Sequence, residues 1–120
     1  MAAMKLYEIR DTLKATVLTG DEAMDRTIVG GGAADLMEDV LAAAAEGAVL
    51  LTGLTTEHVL RTARIAGVRA VVFVRGKHPD EKLLALAESY DLPVLMTSDS
   101  LFVACGRLYM NGLRGLDGSW

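Results

Sequence analysis

Three apolar runs recur at a nearly constant interval, and they constrain this chain more than any other feature. Ala48-Val49-Leu50-Leu51 and Ala70-Val71-Val72-Phe73-Val74 are uninterrupted, and Pro93-Val94-Leu95-Met96 is a shorter third. Runs of this length without polar alternation belong to strands covered on both faces. Val49, Val71 and Val94 stand 22 and 23 residues apart, the pitch of compact strand–helix units in a parallel sheet. The segments between them have helical spacing. Val59, Leu60, Ala63 and Ala66 share one face, as do Leu83, Leu86, Ala87 and Tyr90. Glu57 and Arg61 form an i,i+4 pair on the opposite side of the first helix.

The flanks extend this pattern. Leu6, Ile9 and Leu13 predict a short N-terminal helix, followed by a strand near Thr16-Val17-Leu18. Gly20-Asp21-Glu22 predicts a turn and Arg26-Thr27-Ile28-Val29 a second short strand. Leu36, Met37, Val40, Leu41 and Ala44 form a helical stripe ending at Gly47, a C-cap glycine. Leu101, Ala104, Cys105 and Leu108 predict a last amphipathic helix, capped by Ser98 or Ser100. The expected fold class is α/β, a layered sandwich with a mostly parallel sheet and helices on both faces. One domain spans 1–110, and residues 111–120 form a flexible C-terminal tail that frays or docks through Trp120 on a partner.

Composition agrees with thin, covered layers. Apolar residues make up 52% of the 120, charged residues 23% and aromatics 5%, and 17 residues are alanine. Disordered and polyelectrolyte chains are apolar-poor and highly charged, so that class is excluded. The surplus of small apolar residues exceeds what a small globule hides unless sheet faces are covered or a partner takes the rest. Leu36, Met37, Val40 and Leu41 are one candidate contact, and the last helix is another.

The net charge is −4, with eight acidic and four basic side chains in residues 1–40 and eight of each afterwards. Arg61, Arg64, Arg69, Arg75 and Lys77 make a local basic stretch with no acidic residue between them. A local patch on an acidic chain argues against nucleic-acid binding and fits a solvated face or recognition of one small anion. A lone Cys105 cannot form an internal disulfide, which fits a reducing compartment and a cytoplasmic location. Met1 to Lys5 lacks the apolar core of a signal peptide. No apolar run approaches the ~20 residues that span a bilayer, so no membrane is expected as a partner.

In an open parallel sheet, ligands bind beyond the carboxyl ends of the strands. Those ends are Gly30-Gly31-Gly32, Thr52-Gly53-Leu54-Thr55-Thr56, Arg75-Gly76-Lys77-His78 and Thr97-Ser98-Asp99-Ser100, each polar in an otherwise apolar chain. The candidate ligand-binding residues are therefore Gly30, Gly31, Gly32, Thr52, Gly53, Thr55, Thr56, Arg75, Lys77, Thr97 and Ser98. The same residue types also serve as turn and cap formers in any strand–helix connection. Asp35 stands where a dinucleotide fingerprint places its third glycine, and its carboxylate would repel a phosphate. No loop ending in Gly-Lys-Ser or Gly-Lys-Thr occurs, which argues against nucleotide hydrolysis. His58 and His78 are too few for a histidine metal site and occupy surface or cap positions, so no metal or cofactor is expected. Cys105 lies on an apolar helix face, where it packs as a small hydrophobe. Asp25 beside Arg26 is placed to pair locally. No nucleophile–base–orienter set assembles, and the chain is not expected to be an enzyme. A catalytic reading would need His58 or His78 beside Asp25 or Asp99 in a closed pocket.

Asp25-Arg26-Thr27 followed by Gly30-Gly31 resembles the DRTGG domain family. The resemblance continues through Asp35-Leu36-Met37, the Gly47-to-Gly53 strand, Thr62-Ala63, Gly67-Val68 and Pro93-Val94, from Lys5 to about Tyr109. Ile28-Val29 separates Thr27 from the glycines, so the motif is not contiguous. The resemblance implies an α/β fold similar to the N-terminal domain of HPr kinase/phosphorylase. It also implies a module of the kind found in phosphotransacetylases and CBS-domain pyrophosphatases, where it contributes to dimer contacts. The expected function is a non-catalytic regulatory or assembly module that self-associates as a homodimer, alone or with another cytosolic protein. The alternative is a sensor of a small anionic metabolite, such as an adenine nucleotide, at the strand-end loops.

Overall fold

The computed structural model describes residues 3–36 and 46–115. The chain opens with a short strand, β1 (Met4–Lys5), then helix α1 (Leu6–Leu13) and strand β2 (Thr16–Thr19). A single 3-10 turn over Asp21–Ala23 leads to β3 (Thr27–Ile28) and β4 (Gly30–Ala33). Alternation follows: β5 (Ala48–Thr52), α2 (Glu57–Ala66), β6 (Ala70–Phe73), α3 (Glu81–Ser89), β7 (Val94–Met96) and α4 (Leu101–Met110). The main sheet has the order β2-β7-β6-β5-β4, with β4 to β7 parallel and β2 antiparallel to β7. β1 and β3 form a separate two-stranded antiparallel ribbon.

The expected sandwich is present, and alternation along the covered strands builds it. Every residue of β5 and β6 is buried. Val49, Leu51, Ala70, Val72 and Leu95 face one side, packed with Leu6, Ile9 and Leu13 of α1 and Ala104 and Leu108 of α4. Leu50, Val71, Phe73 and Val94 face the other, packed with Val59, Leu60 and Ala63 of α2 and Leu83 and Ala87 of α3. Each fully buried Val, Leu or Phe contributes about 1.5–3 kcal/mol relative to exposure, so these two layers hold the sheet. Val71 pairs directly with Val94, whereas Val49 pairs with Ala70.

Helix starts follow the hydroxyl and carboxyl caps. Thr56 Oγ1 accepts from the Val59 N–H, Asp80 Oδ1 from Leu83 and Ser100 Oγ from Val103. Ser100, not Ser98, is thus the cap of α4. Helix α2 ends on Gly67 at φ 78°, a left-handed position that suits glycine.

Two sequence expectations are corrected here. Gly30, Gly31 and Gly32 do not form a strand-end loop; they are strand β4 itself, paired in parallel with Ala48, Val49 and Leu50. The strand expected over residues 26–29 is confined to Thr27–Ile28 in the ribbon. The physical reason is crowding over β4. A Cβ on Gly31 would lie 3.0 Å from Leu113 Cδ2, so the side chain of Leu113 covers a strand that has none there.

The helical stripe expected beyond Leu36 falls on 37–45, outside the described residues. Of the expected tail, residues 111–115 pack back on the sheet. Leu113 is buried, the Gly31 N–H donates to the Arg114 carbonyl at 2.9 Å, and Gly115 bridges Gly31. Among the described residues no helix is long and apolar enough to cross a membrane.

Candidate functional site

The parallel strands β4 to β7 deliver their carboxyl ends to one edge, and hydrogen bonds stitch the loops there together. The Val74 N–H donates to the Thr52 carbonyl and the Thr97 N–H to the Phe73 carbonyl, continuing the ladder past the strand ends. The Arg75 N–H donates to the Asp99 carbonyl at 2.7 Å and the Gly76 N–H to the Thr97 carbonyl at 2.8 Å. Arg75 adopts a left-handed φ of 58° to make this turn.

Asp35 enters this edge from the end of β4. Its Oδ1 accepts from the Thr52 hydroxyl and from the Gly53 N–H, both at 2.9 Å. The Gly53 N–H and then the Thr52 hydroxyl hold the Asp35 carboxyl below the ordinary aspartate range against the opposing effect of burial, and the positive charge of Arg75 adds a lesser contribution. The Arg75 guanidinium lies over Gly53, where an added Cβ would come within 2.9 Å of Nη2. Asp35, Gly53, Val74, Arg75, Ser100, Leu101 and Phe102 line a cleft of about 300 Å³. The seat that Gly53 offers an anion is thus filled by the chain's own carboxylate, and Arg75 is the exposed cation beside it.

The expected site residues divide clearly. Thr52, Gly53 and Arg75 come together with Asp35. Thr97 is buried and its hydroxyl is engaged: it donates to the Leu13 carbonyl at 2.8 Å and accepts from the Asp99 N–H at 3.2 Å. Thr56 is a helix cap. Thr55, Lys77 and Ser98 lie in the connecting loops without lining the cleft, with Lys77 and Ser98 exposed. Gly30, Gly31 and Gly32 lie along β4 and do not line this cleft; Gly31 and Gly32 instead border a separate hollow of about 140 Å³ walled by Leu51, Leu113 and Arg114.

Sequence reasoning missed Asp35, Leu101 and Phe102 as wall residues. Asp35 was legible only as an obstacle to phosphate, because its partner Gly53 is set by the β4–β5 register. Asp99 is also part of this edge. Its buried Oδ2 makes no hydrogen bond among the described residues and lies 3.6 Å from Arg107 Nε.

The other chemistry-bearing groups lie elsewhere. His58 is exposed, and His78 Nδ1 lies 2.7 Å from the Pro79 carbonyl. Asp25 is exposed, and Arg26 pairs with Asp91 rather than with its neighbour. Cys105 is half-buried against the α1–α4 layer, and burial pushes its thiol up, which keeps it protonated and poorly nucleophilic. A further hollow near Leu18 and Pro93 is lined by Asp21, Glu22, Glu88 and Asp91, an acidic rim that repels anions.

A family model described as the DRTGG domain matches residues 8–109. No curated protein matches the chain. Among solved structures, one aligns over 91% of this chain with a TM-score of 0.74 at 20% identity. It is the crystal structure of the CBS and DRTGG domains of the regulatory region of Clostridium perfringens pyrophosphatase, complexed with its activator, diadenosine tetraphosphate. The present chain spans 47% of that one, and the likeness is one of fold.

Proposed function

The chain belongs to the DRTGG domain family, and from that premise we propose that it is a non-catalytic regulatory module that works by associating with a second copy of itself. The observation that carries this reading is the bare outer side of α4. A helix that is apolar all round belongs in an interior. α4 carries a single charged side chain, Arg107, yet Phe102 is 87% and Met110 86% exposed. The exposed sides of α2 and α3 differ, with Arg61 and Arg64 on one and Glu81, Lys82 and Glu88 on the other. The strand-end groups favour a non-catalytic role, because Thr97, Thr52 and Asp35 are each engaged in internal hydrogen bonds. Sedimentation velocity of the full chain at micromolar concentration tests the reading. A dimer is expected, and a monomer at every concentration overturns it.

The cleft beside Arg75 favours a second reading, the sensing of a small anionic metabolite at the strand ends. The family's presence in a regulatory region crystallised with a dinucleotide activator makes an adenine nucleotide the first ligand to try. Arg75 is the cation in reach, and Lys77 on the same loop adds positive potential. Thermal melting against ATP, AMP, diadenosine tetraphosphate and acetyl phosphate tests it. A rise in melting temperature that Arg75→Ala abolishes supports the reading, and a melting temperature unmoved by all four compounds counts against it.

A further inference from the structure

We propose that the second copy docks on α4 itself, as an antiparallel helix pair whose two-fold axis passes beside Gly106. The proposal rests on the self-association reading above and assigns its surface and register. Helical geometry places Phe102, Val103, Gly106 and Met110 on one side of α4, opposite the buried Ala104 and Leu108 and the half-buried Leu101 and Cys105. No charged side chain lies among these four; Tyr109, 47% exposed, borders them on one flank and the exposed Arg107 on the other.

The pattern is self-complementary. Phe102 and Met110 each lie four residues from Gly106, about 6 Å along the helix axis. A two-fold at Gly106 therefore sets Phe102 of one copy beside Met110 of the other, twice, as an isologous contact requires. Nothing lies within 4 Å of where a Gly106 Cβ would stand. The missing side chain thus lets the two backbones approach while the large side chains pack on either side of the axis.

The exposed apolar side chains supply about half of the area that a standard interface buries. With ~150–250 Å² for each aromatic side chain, Phe102, Val103, Tyr109 and Met110 leave on the order of 400–500 Å² bare per copy. A standard interface buries about 800 Å² per partner. The balance falls to a polar rim, for which Arg107, Arg114 and the cleft wall beside Phe102 are the adjacent groups. Because Phe102 also lines the Arg75 cleft, this docking places the second copy's Met110 next to that cleft. Occupancy of the cleft and pairing of the helices are then coupled, each altering the other by the same factor.

Sedimentation and cross-linking of the full chain test the assignment. Phe102→Asp, at a position too exposed to unfold the domain, should weaken the dimer about a hundredfold or more. Ile65→Asp, on the exposed side of α2, should leave it unchanged. In a Cys105→Ala background, Gly106→Cys should cross-link to its own copy on mild oxidation. The Phe102→Cys/Met110→Cys double variant should do so as well, while each of those single variants should not. A wild-type chain that is monomeric throughout removes the self-association reading and the interface with it. A wild-type dimer that survives Phe102→Asp, or cross-links that fail while the dimer persists, overturns the α4 interface and leaves self-association standing.

Discussion

Arg26 Nη2 lies 2.6 Å from Asp91 Oδ2, and the same guanidinium donates through Nη1 to the Asp91 carbonyl at 3.0 Å. The two residues are 65 positions apart. This fork ties the start of the β1–β3 ribbon to the turn that enters β7, so the arginine of the family motif acts here as a strut. The carboxylate is largely exposed, which limits the ion pair itself to less than about 1 kcal/mol. The bond to the carbonyl adds a comparable amount. Arg26→Ala should therefore destabilise the domain by about 1–2 kcal/mol, and Asp91→Asn by less. Urea denaturation of the two variants measures both, and an Arg26→Ala midpoint equal to wild type would remove the strut.

Thr97 illustrates a polar side chain whose role is internal. Its hydroxyl donates to the Leu13 carbonyl across 84 positions and receives the Asp99 N–H. Thr97→Val keeps the shape and strands both groups, which costs about 1–3 kcal/mol where the site is dry. Thr97→Ser should retain most of the stability. If thermal melting ranked the two variants the other way, the methyl and not the hydroxyl would be the important group.

Gly20 sits at φ 90°, and an added Cβ would come within 2.8 Å of Pro93 Cα and Cβ. Both contacts are with a rigid ring and its backbone, so neither yields by rotation. The left-handed conformation alone costs roughly 1–2 kcal/mol for a residue with a Cβ. Gly20→Ala should thus be among the most damaging single-methyl additions in the chain, lowering stability by about 2–4 kcal/mol when the clash is included. Gly76 also has positive φ, at 66°, but faces open space. Gly76→Ala should lose only the conformational part. Comparing the two by calorimetry separates the clash from the backbone cost.

What was legible follows from how locally each feature is determined. β5 and β6 announce themselves because unbroken Val and Leu runs have one economical location, between two helical layers. The register was less legible: Val71 meets Val94, but Val49 meets Ala70, because loop lengths and not residue spacing set the stagger. Gly30-Gly31-Gly32 resisted reading because glycine has low strand preference. Only the neighbouring β5 and the side chain of Leu113 make an edge strand of it. Arg26–Asp91 and Asp35–Gly53 were out of reach for the same reason, since each depends on packing between distant elements. The bare side of α4 was half visible. Leu101, Ala104, Cys105 and Leu108 mark its inner face, and the apolar character of the opposite side emerges once that inner face is known.

Cys105 should react slowly. Burial raises its pKa, so the thiolate is scarce at neutral pH, and the side chain packs against the α1–α4 layer. Native protein at pH 8 should consume a thiol-specific reagent far more slowly than the urea-unfolded chain. Equal rates in the two states would place the sulfur at the surface.

Asp35 contributes to stability, and on the sensing reading proposed above it would act against an anion in the cleft. Its folded pKa lies below the ordinary value of 3.8 because the Gly53 N–H and the Thr52 hydroxyl favour the charged form, assisted by Arg75. The stabilisation is therefore complete above the unfolded value and is lost as pH falls through the folded one. The carboxylate is exposed, so screening keeps the effect below about 1 kcal/mol. Asp35→Asn keeps an acceptor for Gly53 and Thr52 but removes the charge. The difference in melting temperature between wild type and Asp35→Asn should be constant above pH 5 and shrink below pH 4. A difference that stays constant down to pH 3 would mean that the charge contributes nothing. The same substitution removes the negative group beside Arg75. If anions enter that cleft, Asp35→Asn should bind them more tightly than wild type even as it melts earlier, whereas a ligand-independent latch would show only the loss of stability.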